Sequence, residues 1–199
     1  MDFKHHLATA WQLTLKHIVP LILMTLVMSV LTFLTLGILA PVMLAGYWQA
    51  ILIMVRTGRE PRIQDIFSQM HLFLPLLAFF ILVLIAVAVG FTLFYLPGIA
   101  ALCGVAFASL YLLPLMTDQK LGLQAALKQS WEMAINGNIA DHVVVVILFL
   151  GFFAIGGSVF LGILFTQPFS TIFVSSVYLE RIAGIADNGA RPALDDSDI

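Results

Sequence analysis

Charge is missing from most of this sequence. Its nine Lys/Arg and eleven Asp/Glu residues fall in four short stretches: Asp2–Lys16, Arg56–Asp65, Asp118–Asp141, and Glu180 to the C-terminus. The intervals between them, His17–Val55, Ile66–Thr117 and His142–Leu179, are 39, 52 and 38 residues long and hold no Asp, Glu, Lys or Arg. Charged residues make up 10% of the chain, against about 25% in an ordinary soluble domain. With 61% hydrophobic residues and a mean hydropathy of +1.06, a soluble fold of this size has too little interior for its apolar surface. Ionisable groups at membrane depth mark proton relays and ion paths. Their absence argues against a proton-coupled transporter and against a channel lined by a charged ring.

Other absences narrow the function. There is one cysteine, Cys103, so no intrachain disulfide forms; within an apolar interval it is expected to be a small packed hydrophobe. No basic stripe is present, which excludes nucleic acid as a partner. No P-loop, HExxH helix or nucleophile elbow occurs, and no Ser stands in sequence register with a His and a carboxylate. No catalytic, cofactor-binding or metal-binding residue is therefore assigned, and the protein is not expected to be an enzyme. The N-terminal apolar run is too long for a signal peptide and lacks a small-x-small cleavage site, so it is expected to stay as the first span.

What is present is length. A hydrocarbon core of about 30 Å takes about 20 helical residues, so each charge-free interval accommodates two helices and a turn. In lipid the backbone must satisfy its own hydrogen bonds, which favours helices. The sequence thus predicts an all-α integral membrane protein with six transmembrane helices arranged as three hairpins. The spans fall near 18–38, 41–56, 72–95, 98–117, 142–164 and 168–185, with turns at Gly37–Pro41, Leu96–Gly98 and Phe165–Pro168. Residues 1–186 form a single six-helix domain, and 187–199 a short acidic disordered tail. All Lys and Arg lie on one side, so both termini of this multi-pass protein are expected in the cytoplasm, at a bacterial inner membrane.

An amphipathic segment precedes each hairpin on the charged side. Phe3, Leu7, Trp11, Thr14 and Ile18 share a helical face; Ile63, Ile66, Phe67 and Met70 share another; Leu123, Ala126, Leu127, Ser130, Trp131 and Ala134 a third. Such spacings predict interfacial helices. The order of amphipathic segment, span, proline-marked turn and return span recurs three times, which predicts an approximate internal threefold repeat. Trp11, Phe67, Lys128 and Trp131 are the candidate surface for a lipid headgroup or protein partner. Gln49, Tyr95, Tyr111 and Tyr178 are the candidate intramembrane polar groups. Most neutral polar side chains are expected to bond back to their own helix or a neighbour. His17, His71 and His142 are read as interfacial residues rather than a metal site, and His5-His6 as a solvated pair. Ala100, Gly104 and Ala108, with Gly151, Gly156, Gly157 and Gly162, mark faces where helices are expected to pack closely.

A series of short motifs carries a resemblance. Pro41, Gly46, Arg56-x-Gly58, Asp65-x-Phe67 and Pro97-Gly98 come first. Asp118, Ala126-x3-Ser130, Asn136-Gly137-Asn138, Pro168 and Tyr178 follow. Across residues 5–185 the chain resembles a broad family of bacterial polytopic integral membrane proteins, related to the membrane domain of membrane-anchored glycerophosphodiester phosphodiesterases. The resemblance implies a six-helix inner-membrane protein with no assigned activity of its own. No catalytic domain follows the last span, so the phosphodiesterase activity is not carried over. The expected function is a non-enzymatic membrane module that binds lipid or supports another membrane protein or a second copy of itself. The alternative is a small transporter or exporter of an apolar or neutral substrate, with Gln49, Tyr95, Tyr111 and Tyr178 lining its cavity.

Overall fold

The computed structural model describes residues 2–136, 138–157 and 162–190. Among them the chain is helical and has no strand. The helices are α1 (Phe3–Lys16), α2 (Ile18–Leu34), α3 (Ala40–Thr57), α4 (Phe73–Leu93), α5 (Tyr95–Ser109), α6 (Leu112–Asp118), α7 (Leu123–Ile135), α8 (Ile139–Gly157) and α9 (Ile163–Ala190). Two 3-10 turns, Ile63–Phe67 and Met70–Leu72, lead into α4.

Proline sets many of the boundaries. A proline lacks an amide and crowds the carbonyl four residues before it, so it is tolerated in a first turn and breaks a helix elsewhere. Pro20 is the third residue of α2; it stops α1 from continuing, and the two helices meet at His17 with a bend of 86°. Pro114 does the same to the expected fourth span, which divides into α5 and α6 between Ser109 and Leu112. Pro97 lies in the first turn of α5, so the turn before it is the single extended residue Phe94 and not Leu96–Gly98. Pro168 falls inside α9, which begins at Ile163, upstream of the expected turn. Only the first turn is where the sequence predicts it: Leu36 and Gly37 are left-handed and Pro41 opens α3.

Among the described residues three stretches are long and apolar enough to cross a membrane: Ile63–Leu93, Tyr95–Asp118 and Ile139–Gly157. Counting the bent α1–α2 pair as one broken span brings the number to four. The expected α3 and α9 spans are less apolar, because α3 carries Tyr47, Trp48, Gln49 and Arg56, and α9 carries Gln167, Ser170, Thr171 and Ser175. The reason is position. Val42, Met43, Ala45, Tyr47, Ile51 and Met54 bury α3 on nearly all sides, and Ile172, Phe173, Val177 and Tyr178 do the same for α9. Central helices touch protein and not lipid, so they tolerate polar groups that find partners. The apolar windows of the three candidate spans, in contrast, are only 6%, 33% and 22% buried. The α4–α5 hairpin is the outermost part, held together where Gly90 lies against Gly98.

The amphipathic segments pack differently from expectation. On α1 the inward face is His6, Ala10 and Thr14, and Trp11 is 51% exposed. Contacts run antiparallel along α9: His6 meets Ser176 and Glu180, and Trp11 meets Phe169 and Phe165 edge-on. This helix is therefore laid along α9 and is not confined to a surface layer. In the second segment only Ile66 is buried, while Ile63, Phe67 and Met70 are exposed. That turn folds back onto the middle of α3 at Gly46, where any β-carbon would overlap the Ile66 carbonyl. The third segment, α7, buries Ala126, Ser130 and Ala134 as its spacing predicts, together with Met133. Gly104, Gly151 and Gly157 face open space, and Cys103 is exposed; Gly156 packs closely, against Thr166, as expected, and the other close glycine contacts are at Gly46, Gly90 and Gly98. Residues 187–190 of the expected tail continue α9, and residues 191–199 lie outside those described.

Candidate functional site

The charged ends of several helices converge. Asp118, the last residue of α6, accepts two hydrogen bonds from Arg56 of α3, Nη1 to Oδ1 at 2.8 Å and Nη2 to Oδ2 at 3.0 Å. Tyr178 of α9 donates its hydroxyl to Oδ2 at 3.3 Å. Side chains from α3, α6 and α9 thus meet at one carboxylate. A forked pairing of guanidinium and carboxylate is among the stronger charge-assisted geometries. Asp118 is nearly buried, while Arg56 is half exposed.

Next to this hub, the α5–α6 break leaves backbone groups without helical partners. Ser130 of α7 satisfies two of them: its Oγ donates to the Ala108 carbonyl at 2.7 Å and accepts from the Tyr111 amide at 3.3 Å. His142 of α8 bonds through Nε2 to the Phe107 carbonyl at 2.9 Å, which makes that nitrogen the donor. The His142 ring lies 4.6 Å from Phe107 and 5.5 Å from Tyr111, centroid to centroid. Tyr111 Oη and His142 Nδ1 are buried and have no hydrogen-bond partner. Arg181 of α9 donates Nη1 to the Met133 carbonyl at 2.5 Å, capping the last turn of α7, and its guanidinium lies 5.5 Å from the Tyr111 ring centre.

Two cavities border these groups. One, of about 770 Å³, is a polar cleft between α7, α8 and α9, lined by Lys128, Glu132, Asn138, Asp141, Glu180 and Arg181 among others. The other, of about 300 Å³, is an apolar groove bounded by Trp48, Leu76, Phe79, Val105, Ala106 and Phe149. Ser109 also lines the groove, but its hydroxyl is spent on the Val105 carbonyl at 2.6 Å.

The sequence-predicted residues scatter. Lys128 and Trp131 lie together on α7, with Lys128 in the cleft wall and Trp131 half exposed against Phe107. Trp11 is on α1 and Phe67 in the turn docked on α3. Tyr111 and Tyr178 are buried with ring centres 6.2 Å apart. Tyr95, at the α4–α5 turn, is 73% exposed, and Gln49 has a buried carbonyl oxygen without a partner. None of the four lines either of these two cavities. His17 and His142 are buried, His71 is exposed, and among the described residues no three His, Cys, Asp or Glu side chains gather as metal ligands.

One grouping was not visible in the sequence. His6 is buried, not solvated; its Nδ1 is 2.7 Å from Ser176 Oγ and its Nε2 is 2.6 Å from Glu180 Oε2. The set has the atoms of a Ser–His–carboxylate relay. Ser176, however, sits inside the continuous helix α9, and neither cavity includes Ser176 or His6. The geometry serves as a clamp between the first and last helices. The sequence signal for the Asp118 hub was faint but real: Arg56 and Asp118 each border a charge-free interval, where an ionic group next to lipid gains most from a partner. Compared with protein-family models, curated proteins and solved structures, the chain finds no match in any of the three.

Proposed function

We propose that this chain is a non-enzymatic, six-span module of a bacterial inner membrane that binds lipid, with both termini in the cytoplasm. The six spans are the bent α1–α2 pair, α3, α4, α5 with α6, α8 and α9. The observation that carries the reading is the apolar groove beside the α4–α5 hairpin. Its lining is apolar apart from the Trp48 indole and Ser109, whose hydroxyl is spent within its own helix, and the same two helices turn Leu82, Ile85 and Leu102 outward. A groove of that chemistry fits an acyl chain. Arg56 and Asp118 at the ends of α3 and α6, Asp141 in the first turn of α8, and Glu180 and Arg181 in the C-terminal half of α9 support a single charged side, and the Lys and Arg of that side support the cytoplasmic orientation. The order of motifs shared with the polytopic family fits the same architecture.

The test is native mass spectrometry of protein released in mild detergent. A lipid retained at fixed stoichiometry, and lost in Ala106→Trp, which fills the groove, is the expected result. Protein that emerges bare in both forms overturns the reading. One observation favours the transporter alternative: a broken helix beside buried polar atoms without partners, at Tyr111 and His142, is the kind of element that binds substrate at membrane depth. Uptake of neutral solutes into proteoliposomes decides it.

A further inference from the structure

The polar cleft between α7, α8 and α9 has a charge pattern that selects among headgroups. We propose that it binds the headgroup of a phospholipid that joins a phosphate to a primary ammonium, as phosphatidylethanolamine does. The proposal deepens the lipid-binding reading and rests on it.

Two cations and three anions line the cleft: Lys128 and Arg181 against Glu132, Asp141 and Glu180. Arg181 is fixed in place by its bond to the Met133 carbonyl and by the Tyr111 ring. A guanidinium has five N–H donors in a planar fork suited to phosphate oxygens. Lys128 is at the exposed rim, and its contact with Glu132, at 3.8 Å, is too long for a tight hydrogen bond. It is free to swing onto a second phosphate oxygen. Glu180 uses Oε2 on His6, which leaves its other oxygen for a donor, and Glu132 is half exposed on the same wall.

This mixture discriminates. A phosphoglycerol headgroup brings a negative charge without a positive one and leaves Glu132 and Glu180 no donor. A choline headgroup brings a cation that cannot donate hydrogen bonds. A primary ammonium donates three, as the side chain of Lys does, and reaches Glu132 and Glu180 while the phosphate takes Arg181 and Lys128. Position identifies the source as a lipid. Asp141 is in the first turn of the candidate span α8, and Glu180 and Arg181 follow directly on the charge-free interval His142–Leu179. The cleft therefore opens at headgroup depth, with Trp131 half exposed one turn from Lys128, as interfacial aromatics are.

The experiment offers delipidated protein, in detergent, an equimolar mixture of phosphatidylethanolamine, phosphatidylglycerol and phosphatidylcholine with identical acyl chains, and reads the bound lipids by native mass spectrometry. Soluble glycerophosphoethanolamine is offered in a separate arm. The expected result is phosphatidylethanolamine preferred by roughly fivefold, about the effect of one charge at a membrane surface. Glu132→Lys should turn that preference toward phosphatidylglycerol, Lys128→Glu should weaken phosphatidylethanolamine by a similar factor, and Arg62→Glu, outside the cleft, should change neither. Lipids retained without headgroup preference, or unaffected by both cleft variants, overturn the proposal and leave the lipid-binding reading standing. No lipid retained at all overturns both. Glycerophosphoethanolamine bound as tightly as the lipid overturns the membrane source and makes the cleft a site for a soluble ligand.

Discussion

Arg56 and Asp118 stand 62 residues apart in the chain and close a two-armed ion pair at 2.8 and 3.0 Å, with the Tyr178 hydroxyl on the same carboxylate. Three helices are tied by one aspartate. Removing it strands a guanidinium and a phenol together. Asp118→Asn should lower stability by about 2–3 kcal/mol, somewhat under the range for a fully buried pair because Arg56 is half exposed. Thermal unfolding in detergent checks this. A double-mutant cycle with Arg56→Gln should return a coupling above about 1 kcal/mol; additive losses would show that the pair is not a unit.

Gly46 is where the 63–67 turn touches the middle of α3, and the Ile66 carbonyl occupies the space of a side chain. Gly46→Ala should cost about 1–3 kcal/mol, the usual range for overpacking. The damage should be local. Limited proteolysis between Gly58 and Met70 should accelerate in the variant, while Gly104→Ala, at a glycine facing open space, should change nothing.

Ser130 holds the α5–α6 break through one donated and one accepted hydrogen bond. Ser130→Ala leaves a buried carbonyl and a buried amide without that partner, each worth about 1–3 kcal/mol when orphaned. Loss of stability larger than for Ser29→Ala is expected, because the Ser29 hydroxyl only bonds back within its own helix. Equal effects would refute the stitching role.

His6 clamps α1 to α9. In His6→Ala, amide exchange of α1 should rise toward that of a frayed terminus while α3 stays protected. Ser176→Ala should have a smaller effect, since the contact with Glu180 remains.

Cys103 is the sole thiol and lies exposed on α5, in a stretch apolar enough to cross a membrane. In intact membranes it should react with a membrane-permeant maleimide and resist a charged one. Rapid labelling by the charged reagent would place α5 in water.

The sequence makes the class of protein legible because charge partitions so sharply: helices fill the three empty intervals, and α7 buries the face its spacing marks. Faces within the apolar spans were not legible. Lipid and protein interior are equally apolar, so nothing in α4 or α5 distinguishes an outward Leu82 from an inward Leu76. The α5–α6 break was written at Pro114 but masked by the apolar residues on both sides. On α1, Trp11 and Leu7 outweigh His6 in any count of hydrophobicity, yet His6 is the buried residue, because its partners Ser176 and Glu180 lie on the last helix. Such a pairing cannot be read from local spacing. The same holds for the polar cleft, whose walls come from three helices.

The clamp between α1 and α9 also orders events in time. A ribosome delivers α1 before α9, and His6 waits for a serine 170 positions downstream. Until then α1 has no bonded mate, and a chain halted early carries an imidazole with nothing to hold. Membrane proteases that survey nascent chains would meet a loose first helix in every truncated product and a fastened one only when synthesis has passed Glu180.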